Sequence, residues 1–134
     1  MTHQGGCFCG EVRYEVAAEP APLINCHCQF CRRFHGAAFA TVAPVASDKF
    51  KITAGEHSIV ALEHAMGSRH FCSTCGGRLF NRANSSDAFV MLIVSSLDEA
   101  PASEPVMHIN TESKAPWHQI CDALPQFTGM PPGV

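Results

Sequence analysis

Three cysteines fall close together near the start of the chain, in the stretch Cys26-His27-Cys28-Gln29-Phe30-Cys31. This stretch constrains the fold most, because three thiols at this spacing can converge on one metal ion when a short loop wraps around it. Zinc in proteins takes four ligands in a tetrahedron and favours thiolate sulfur. Three cysteines leave the fourth corner to be filled from elsewhere. The identity of that fourth ligand decides between a structural site and an active site.

The other cysteines also argue for metal rather than disulfide bonds. Cys7 pairs with Cys9 and Cys72 with Cys75 in two tight clusters, and only Cys121 stands alone. Disulfide frameworks spread their cysteines so that each bridge closes a long loop, and these neighbours are too close for that. The first residues lack the basic start and apolar run of a signal peptide, so we expect a cytoplasmic location in which thiols stay reduced.

Length and charge limit the classes of protein to consider. A chain of 134 residues is expected to form a single domain spanning residues 1–134. The net charge of −3 at pH 7 makes nucleic acid a poor default partner. The longest apolar stretch, residues 89–94, has the length of a strand, and we expect no membrane partner.

Hydrophobic patterning predicts a mainly β protein with short helices at most. Residues 11–16 alternate charged and apolar side chains with period two, as a half-buried strand does. Further strands are predicted at residues 37–42 (ended by Pro44), 50–53, 58–62, 68–71 and 89–94. Residues 54–56 are predicted to be the hairpin turn between the second and third of these. Residues 89–94 are expected to be central, and residues 117–124 are predicted to form a short helix.

The spacing of the cysteines leaves two ways to divide the metal ligands. Cys7, Cys9, Cys72 and Cys75 would make one closed four-thiolate site, which is structural because no corner is free for substrate. Alternatively, Cys72 and Cys75 complete the site of the central loop and leave the first pair unassigned. We favour the first division because it leaves no orphan pair.

The first division gives Cys26, Cys28 and Cys31 a site with one open corner. Three thiolates on a divalent ion leave a net charge of −1, so the metal is a weaker Lewis acid than one held by three histidines. Such an ion is better suited to binding an external thiolate and lowering the pKa of that thiol. Arg32 and Arg33 could offset the negative charge and bind substrate carboxylates.

Structural interpretations stand beside this one. Cys121, His27, His35 or His118 could close the second site and make both metals structural, and Arg32 and Arg33 could be an ordinary solvated surface. His35 could be a general base, a fourth ligand or a surface residue. The remaining histidines, expected to be structural or exposed, are His3, His57, His64, His70 and His108.

The residues resemble the glutathione-dependent formaldehyde-activating enzyme family, also called the Gfa or centromere-protein-V-like family. The matching stretches are Gly5-Gly6-Cys7-Phe8-Cys9-Gly10-Glu11-Val12-Arg13-Tyr14, Cys26-His27-Cys28-Gln29-Phe30-Cys31-Arg32-Arg33, Phe71-Cys72-Ser73-Thr74-Cys75-Gly76, His108-Ile109 and Ser113-Lys114-Ala115-Pro116-Trp117. All ligand motifs occur in order, so the resemblance covers nearly the whole chain. It is specific for the family and less so for the substrate.

The resemblance implies an Mss4-like, zinc-stabilised β-sheet fold with two zincs per chain. It implies a structural zinc on Cys7, Cys9, Cys72 and Cys75, and a catalytic zinc on Cys26, Cys28 and Cys31. The implied activity is that of a carbon–sulfur lyase, or the formation of S-hydroxymethylglutathione from glutathione and formaldehyde. His35 is the first candidate for a base, and Lys114 and Trp117 are candidates for shaping the substrate cleft.

Two other classes of function remain open from the sequence. The chain could be a non-catalytic, zinc-scaffolded binding module, or a thiol-based metal or redox sensor whose central thiols bind metal loosely. A homodimer formed through an unpaired edge strand is a further expectation, although no segment of the sequence locates that edge.

Overall fold

A computed structural model describes residues 2–132 of the chain. Within these residues the chain forms ten strands, one α-helix and four short 3-10 turns. The strands are β1 (His3–Gly6), β2 (Arg13–Val16), β3 (Leu23–Cys26), β4 (Ala40–Ala46), β5 (Phe50–Ala54), β6 (Ile59–His64), β7 (Gly67–Cys72), β8 (Arg78–Ala83), β9 (Ser86–Ile93) and β10 (Pro105–Ile109). The helix α1 spans Gln29–His35, and the 3-10 turns span Ser47–Lys49, Glu56–Ser58, Val94–Ser96 and Thr111–Ser113.

The strands form two sheets, which confirms the mainly β class. The smaller sheet has the strand order β1-β2-β5, and the larger has the order β10-β3-β4-β9-β8-β7-β6. Strand β9 is fourth of seven, so the prediction that residues 89–94 are central is confirmed. In the larger sheet, β10 pairs with β3 in parallel. The other pairs of neighbouring strands in this sheet are antiparallel.

Two apolar clusters form the core. In the first, Tyr14 and Val16 of β2 are almost fully buried and pack with residues of the larger sheet such as Leu79 and Leu92. Their alternation with the more exposed Arg13 and Glu15 is the period-two pattern expected of a strand with one buried face. The second cluster surrounds the central cysteines and is formed by Cys26, Cys31, Ala40, Val42, Ile93 and Ile109.

The predicted hairpin between residues 50–53 and 58–62 is wrong. Strand β5 pairs with β2 in the smaller sheet, whereas β6 pairs with β7 in the larger one. The connection contains Gly55 in a left-handed conformation followed by a 3-10 turn, which redirects the chain between sheets instead of folding it back. Local turn residues predicted a reversal but could not identify the strands on either side of it.

Two further predictions about local structure are also wrong. Pro44 does not end a strand, because β4 continues through it to Ala46. Strand β3 pairs only with residues 40–42 of β4, so Pro44 lies beyond that partner and its missing N–H is tolerated there. Residues 117–124 form no helix, and the tail hydrogen bonds instead to the end of β10, as in His108 N to Pro125 O (2.9 Å).

No helix within residues 2–132 has both the length and the apolar character needed to cross a membrane.

Candidate metal centres

Two turns from distant parts of the chain bring four thiols together. Cys7 and Cys9 lie between β1 and β2, while Cys72 ends β7 and Cys75 lies in the turn before β8. Their sulfur atoms all lie within 4.8 Å of one another, with 3.6 Å between Cys7 and Cys9 and 3.9 Å between Cys9 and Cys72. Four sulfurs around a zinc ion at about 2.3 Å would be separated by about 3.8 Å. The group therefore fits a closed four-thiolate metal centre.

Backbone N–H groups donate hydrogen bonds to three of these four sulfurs. The hydrogen bonds are Val12 N to Cys7 Sγ (3.2 Å), Cys9 N to Cys75 Sγ (3.5 Å), Thr74 N to Cys72 Sγ (3.4 Å) and Gly77 N to Cys75 Sγ (3.4 Å). Hydrogen bonds from amides favour the ionised form of a thiol, which is the form that binds metal. The two turns thus provide both the ligands and the donors that stabilise them.

The second group of thiols lies where a strand passes into a helix. Cys26 is the last residue of β3, Cys28 is the N-cap of α1, and Cys31 is in the first turn of that helix. Their sulfur atoms lie within 4.8 Å of one another. The sequence predicted a loop here, and the helix was missed because cysteine is not among the usual N-cap residues. Cys28 nevertheless acts as one, since its Sγ accepts the N–H of Cys31 at 3.2 Å.

This second group has three members among residues 2–132. No other histidine, cysteine or carboxylate in that range joins Cys26, Cys28 and Cys31 as a ligand. Cys121 is exposed, and neither His27, His35 nor His118 belongs to the group. Cys72 and Cys75 belong to the four-thiol group, so the alternative division of ligands is not the one adopted. Within residues 2–132 the protein thus offers three potential metal ligands in this group.

The close contact of the three thiols ties their ionisation together. Hydrogen bonds from the Cys26 and Cys31 thiols lower the pKa of Cys28 to about 2, whereas the same contacts and burial raise the pKa of Cys31. Three thiolates at this separation would repel one another, so the thiols cannot all ionise independently. Ionising all three requires a cation between them, as expected of thiols that together bind one metal.

The end of β10 packs against the three-cysteine centre from behind. Asn110 adopts a left-handed conformation (φ 56°) and its side-chain amide donates to Cys26 Sγ at 3.4 Å. The carbonyl of Ile109 accepts the backbone N–H of His27 at 3.0 Å. The ring of His108 meets the ring of His27, with 2.8 Å between His108 Nδ1 and His27 Nε2. Sequence reasoning assigned none of these residues to the support of the site, and Asn110 carries no motif that could have indicated it.

The polar residues predicted at the site lie in different places. Arg33 is exposed on α1, and Trp117 is 71% exposed. Arg32 donates from Nη1 to the carbonyl of Ser113 at 2.8 Å, and Lys114 donates to the carbonyl of Ala115 at 3.0 Å. Arg32 and Lys114 therefore contact the segment after β10 through its backbone.

His35 lies at the other end of α1 from the cysteines. Burial, together with the nearby guanidinium groups of Arg78 and Arg69, lowers its pKa to about 4, so its imidazole is neutral near pH 7. It lines a cleft of about 900 Å³ with Arg33, Phe8 and other residues. The lining of the cleft includes Cys7 of the four-thiol group but none of the three central cysteines. Ala40 connects the two regions, because it lines the cleft and pairs with Cys26 across β3 and β4.

These features define a class of small mainly β protein with one group of four cysteines and one group of three, each of which could hold a metal ion. The sequence comparison places the chain within that class. It belongs to the glutathione-dependent formaldehyde-activating enzyme family, whose family model matches residues 2–113.

Two individual proteins are also similar to the chain. A Talaromyces marneffei protein named "Putative glutathione-dependent formaldehyde-activating enzyme" is 29% identical over 86 residues, which are 62% of this chain and 46% of that protein. The chain thus spans about half the length of this curated relative. A crystal structure of a Rhodobacter sphaeroides protein is similar with a TM-score of 0.61 and 24% identity, covering 74% of this chain and 91% of that one. This second likeness supports the fold alone.

Proposed function

We propose that the chain is a zinc-dependent carbon–sulfur lyase or thiol–aldehyde adduct enzyme. Its substrates would be a small thiol, with glutathione as the specific candidate, and a small aldehyde, formaldehyde. The observation that carries the proposal is the three-cysteine centre, to which residues 2–132 contribute no fourth ligand. Membership of the family and the name of the Talaromyces marneffei relative support the choice of substrates.

The proposed reaction forms or breaks one carbon–sulfur bond. In the forward direction the thiol sulfur adds to the formaldehyde carbon, the π pair of the carbonyl moves to oxygen, and the proton lost by the thiol ends on that oxygen. Zinc bound by the three thiolates would supply a coordination position for the substrate sulfur and would lower the pKa of the thiol. The reverse reaction releases the thiol and formaldehyde from the adduct.

Each polar residue predicted at the site has a proposed task. Arg33 is exposed and lines the cleft, so its guanidinium is suited to binding a substrate carboxylate there. Neutral His35 is suited to accepting a proton in the same cleft. Arg32 and Lys114 contribute by holding the segment after β10, and Trp117 offers an exposed ring beside it.

We also propose a structural zinc and a cytoplasmic location. A zinc held by Cys7, Cys9, Cys72 and Cys75 would be structural, and its support is that the four sulfurs all lie within 4.8 Å of one another. A cytoplasmic location is supported by the eight cysteines, which all lie within residues 2–132 and are free thiols. The absence of nucleic-acid and membrane partners and the formation of a homodimer stay predictions.

The proposal is tested with Cys28→Ser. Serine is a good N-cap residue, so α1 should keep its cap and the protein should stay folded. We expect the variant to lose or weaken one of its two zincs and to lose catalysis of the exchange between free formaldehyde and the glutathione adduct. Exchange is measured by NMR at equilibrium, and zinc per chain is measured by elemental analysis.

Cys121→Ser is the matched control, because this exposed thiol lies outside both cysteine groups. It should keep two zincs and full activity. Wild-type protein with two zincs that fails to accelerate the exchange for any of a panel of small thiols would overturn the proposal. In that case, loss of partner binding when metal is removed from the three-cysteine centre would indicate a binding module. A labile second metal with easily oxidised thiols would indicate a sensor.

A further inference from the structure

A chain of hydrogen-bonded side chains connects the tail to the three-cysteine centre. It begins at Asp122, beyond the family match that ends at residue 113. A carboxylate oxygen of Asp122 lies 3.0 Å from His108 Nε2, and His108 Nδ1 lies 2.8 Å from His27 Nε2. His27 stands between the ligands Cys26 and Cys28 in the sequence. The exposed carboxylate is thus linked through two buried imidazoles to the metal-binding turn.

The carboxylate determines the direction of every hydrogen bond in this chain. An ionised carboxylate only accepts, so His108 Nε2 must carry a hydrogen. A neutral His108 then has a bare Nδ1, which accepts the Nε2–H of His27. A neutral His27 with its hydrogen on Nε2 has none on Nδ1. Asp122 therefore selects the tautomer of a ring that it does not touch.

The surroundings of His27, at the other end of this series of hydrogen bonds, favour the same tautomer. His27 is fully buried, and its Nδ1 has no hydrogen-bond partner in the structure. In the protein backbone, buried N–H groups without an acceptor are rarer than carbonyl oxygens without a full set of donors, and we apply the same order to the two states of this ring nitrogen. A bare Nδ1 is therefore the less costly state for this position. The arguments from Asp122 and from Nδ1 are independent and agree.

The same contacts hold the backbone that carries two of the ligands. The N–H of His27 donates to Ile109 O, and the ring of His27 packs against Phe39 with 5.0 Å between ring centroids. Because Cys26 and Cys28 flank His27, a shift of this ring would move the backbone of both. Groups that orient metal ligands from the next layer outward contribute to metal affinity.

We propose that Asp122 and His108 are positioning residues, which fix the tautomer of His27 and thereby hold Cys26 and Cys28 in the arrangement that binds metal. The inference rests on the part of the proposed function that assigns a metal to the three-cysteine centre. It does not depend on the reaction, so its spectroscopic test gives a result whether or not the protein turns over an adduct.

The test is Asp122→Asn, for which the structure gives a directional expectation. The N–H of Leu124 donates to Asp122 Oδ1 at 3.0 Å, so an asparagine should keep its oxygen at that position and place its NH₂ group where Oδ2 lies. Oδ2 is the nearer of the two carboxylate oxygens to His108 Nε2, at 3.0 Å against 3.2 Å for Oδ1. Its NH₂ group would then face His108 Nε2 and donate to it. Every hydrogen bond between these side chains would reverse, and His27 would carry its hydrogen on Nδ1, where the structure provides no acceptor for it.

Two measurements test whether these hydrogen bonds reverse and whether the reversal weakens metal binding. ¹⁵N NMR of the metal-loaded protein at pH 8 should show an unprotonated His27 Nδ1 in the wild type and a protonated one in Asp122→Asn. ¹¹³Cd NMR of cadmium-loaded protein distinguishes the two centres by their number of sulfur ligands. With a chelator present, we expect about tenfold faster loss of metal from the three-cysteine centre and no change at the four-cysteine centre.

Two variants serve as controls. Asp122→Glu retains a carboxylate and should keep the wild-type tautomer, and Asp87→Asn makes the same chemical change at an exposed position. An unchanged His27 tautomer in Asp122→Asn would overturn the proposal, as would equal acceleration of metal loss at both centres. If Asp122→Asn does not fold, the wild-type spectrum decides, because a protonated Nδ1 in the native protein contradicts the assignment.

Discussion

At the scale of the residue, one partly buried hydrogen bond links the smaller sheet to the end of a strand of the larger sheet. Tyr14 of β2 is 1% exposed, and its hydroxyl lies 2.6 Å from Ser96 Oγ in the turn after β9. Gly5 of β1 makes this possible, because a Cβ there would lie 2.4 Å from the tyrosine oxygen. Burial raises the pKa of Tyr14 to about 12. The phenol therefore has to remain neutral for the two sheets to pack in this way.

Tyr14 should make stability fall at alkaline pH. Its pKa is higher in the folded state than the value near 10 of an unfolded tyrosine, so the unfolded state loses its proton first. The resulting contribution is fully present below about pH 10 and disappears as pH rises towards 12. Relative to Tyr14→Phe, the wild type should lose about 2 kcal/mol of unfolding free energy between pH 8 and pH 12.

Urea unfolding of both proteins across this range measures the effect. The other titrating groups are common to the two proteins and cancel in the difference. At neutral pH the variant should be less stable by about 1 kcal/mol, because it lacks the hydrogen bond to Ser96. Parallel stability curves from pH 8 to pH 12 would contradict the assigned role of the phenol.

At the scale of the element, what the sequence could predict depends on how local the signal is. Alternation along β2 and the apolar run of β9 identify strands without reference to any partner. Strands β3 and β10 were missed because each is short and pairs in parallel with a segment far away in sequence. Helix α1 was missed because its N-cap is Cys28, and cysteine is not one of the usual N-cap residues.

The metal centres followed the same rule. Ligand spacing is local chemistry, so all seven clustered cysteines could be assigned to the groups that the structure brings together. The contacts of Asn110 and Asp122 depend on how the tail returns to the centre, with Asn110 reaching Cys26 and Asp122 reaching His108. No spacing in the sequence encodes either contact. The ligands were thus predictable, whereas the residues that orient them were not.

Helix α1 ends at a glycine in the left-handed conformation. Replacing this glycine by a residue with a side chain should destabilise the protein through backbone conformation alone. Gly36 caps the helix with φ 60°, and its N–H donates to Arg32 O. A Cβ at this position would have no neighbour within 4 Å, so steric contact adds nothing. Gly36→Ala should lower the unfolding free energy by about 1 kcal/mol, while Gly36→Asn should cost less because asparagine tolerates the left-handed region.

Urea unfolding at a fixed zinc concentration measures both variants, since bound metal contributes to apparent stability. Zinc content should stay at the wild-type level because Gly36 follows the helix end opposite to the cysteines. Equal stability of the alanine and glycine proteins would show that the helix end is not held in the left-handed conformation in solution.

At the scale of the whole molecule, the four-cysteine centre connects the two sheets. Cys7 and Cys9 lie between strands of the smaller sheet, and Cys72 and Cys75 lie between strands of the larger one. The first core cluster also crosses between sheets, since Val12 and Tyr14 pack with Leu79 and Val90. We propose on these grounds that residues 1–134 fold as one domain whose two sheets depend on each other.

Loss of one ligand from the four-cysteine centre should therefore unfold the protein. Structural zinc in small domains contributes about 10–16 kcal/mol, which equals or exceeds the net stability of about 5–15 kcal/mol of a typical domain. Cys75→Ser should show no cooperative thermal transition by circular dichroism, whereas Cys28→Ser and the exposed-site control Cys121→Ser should each retain one. This contrast would show that folding requires the four-cysteine centre and does not require the three-cysteine centre. If Cys75→Ser instead melted cooperatively near the wild-type temperature, the sheets would be joined by their apolar core alone, and the four cysteines would have no structural task.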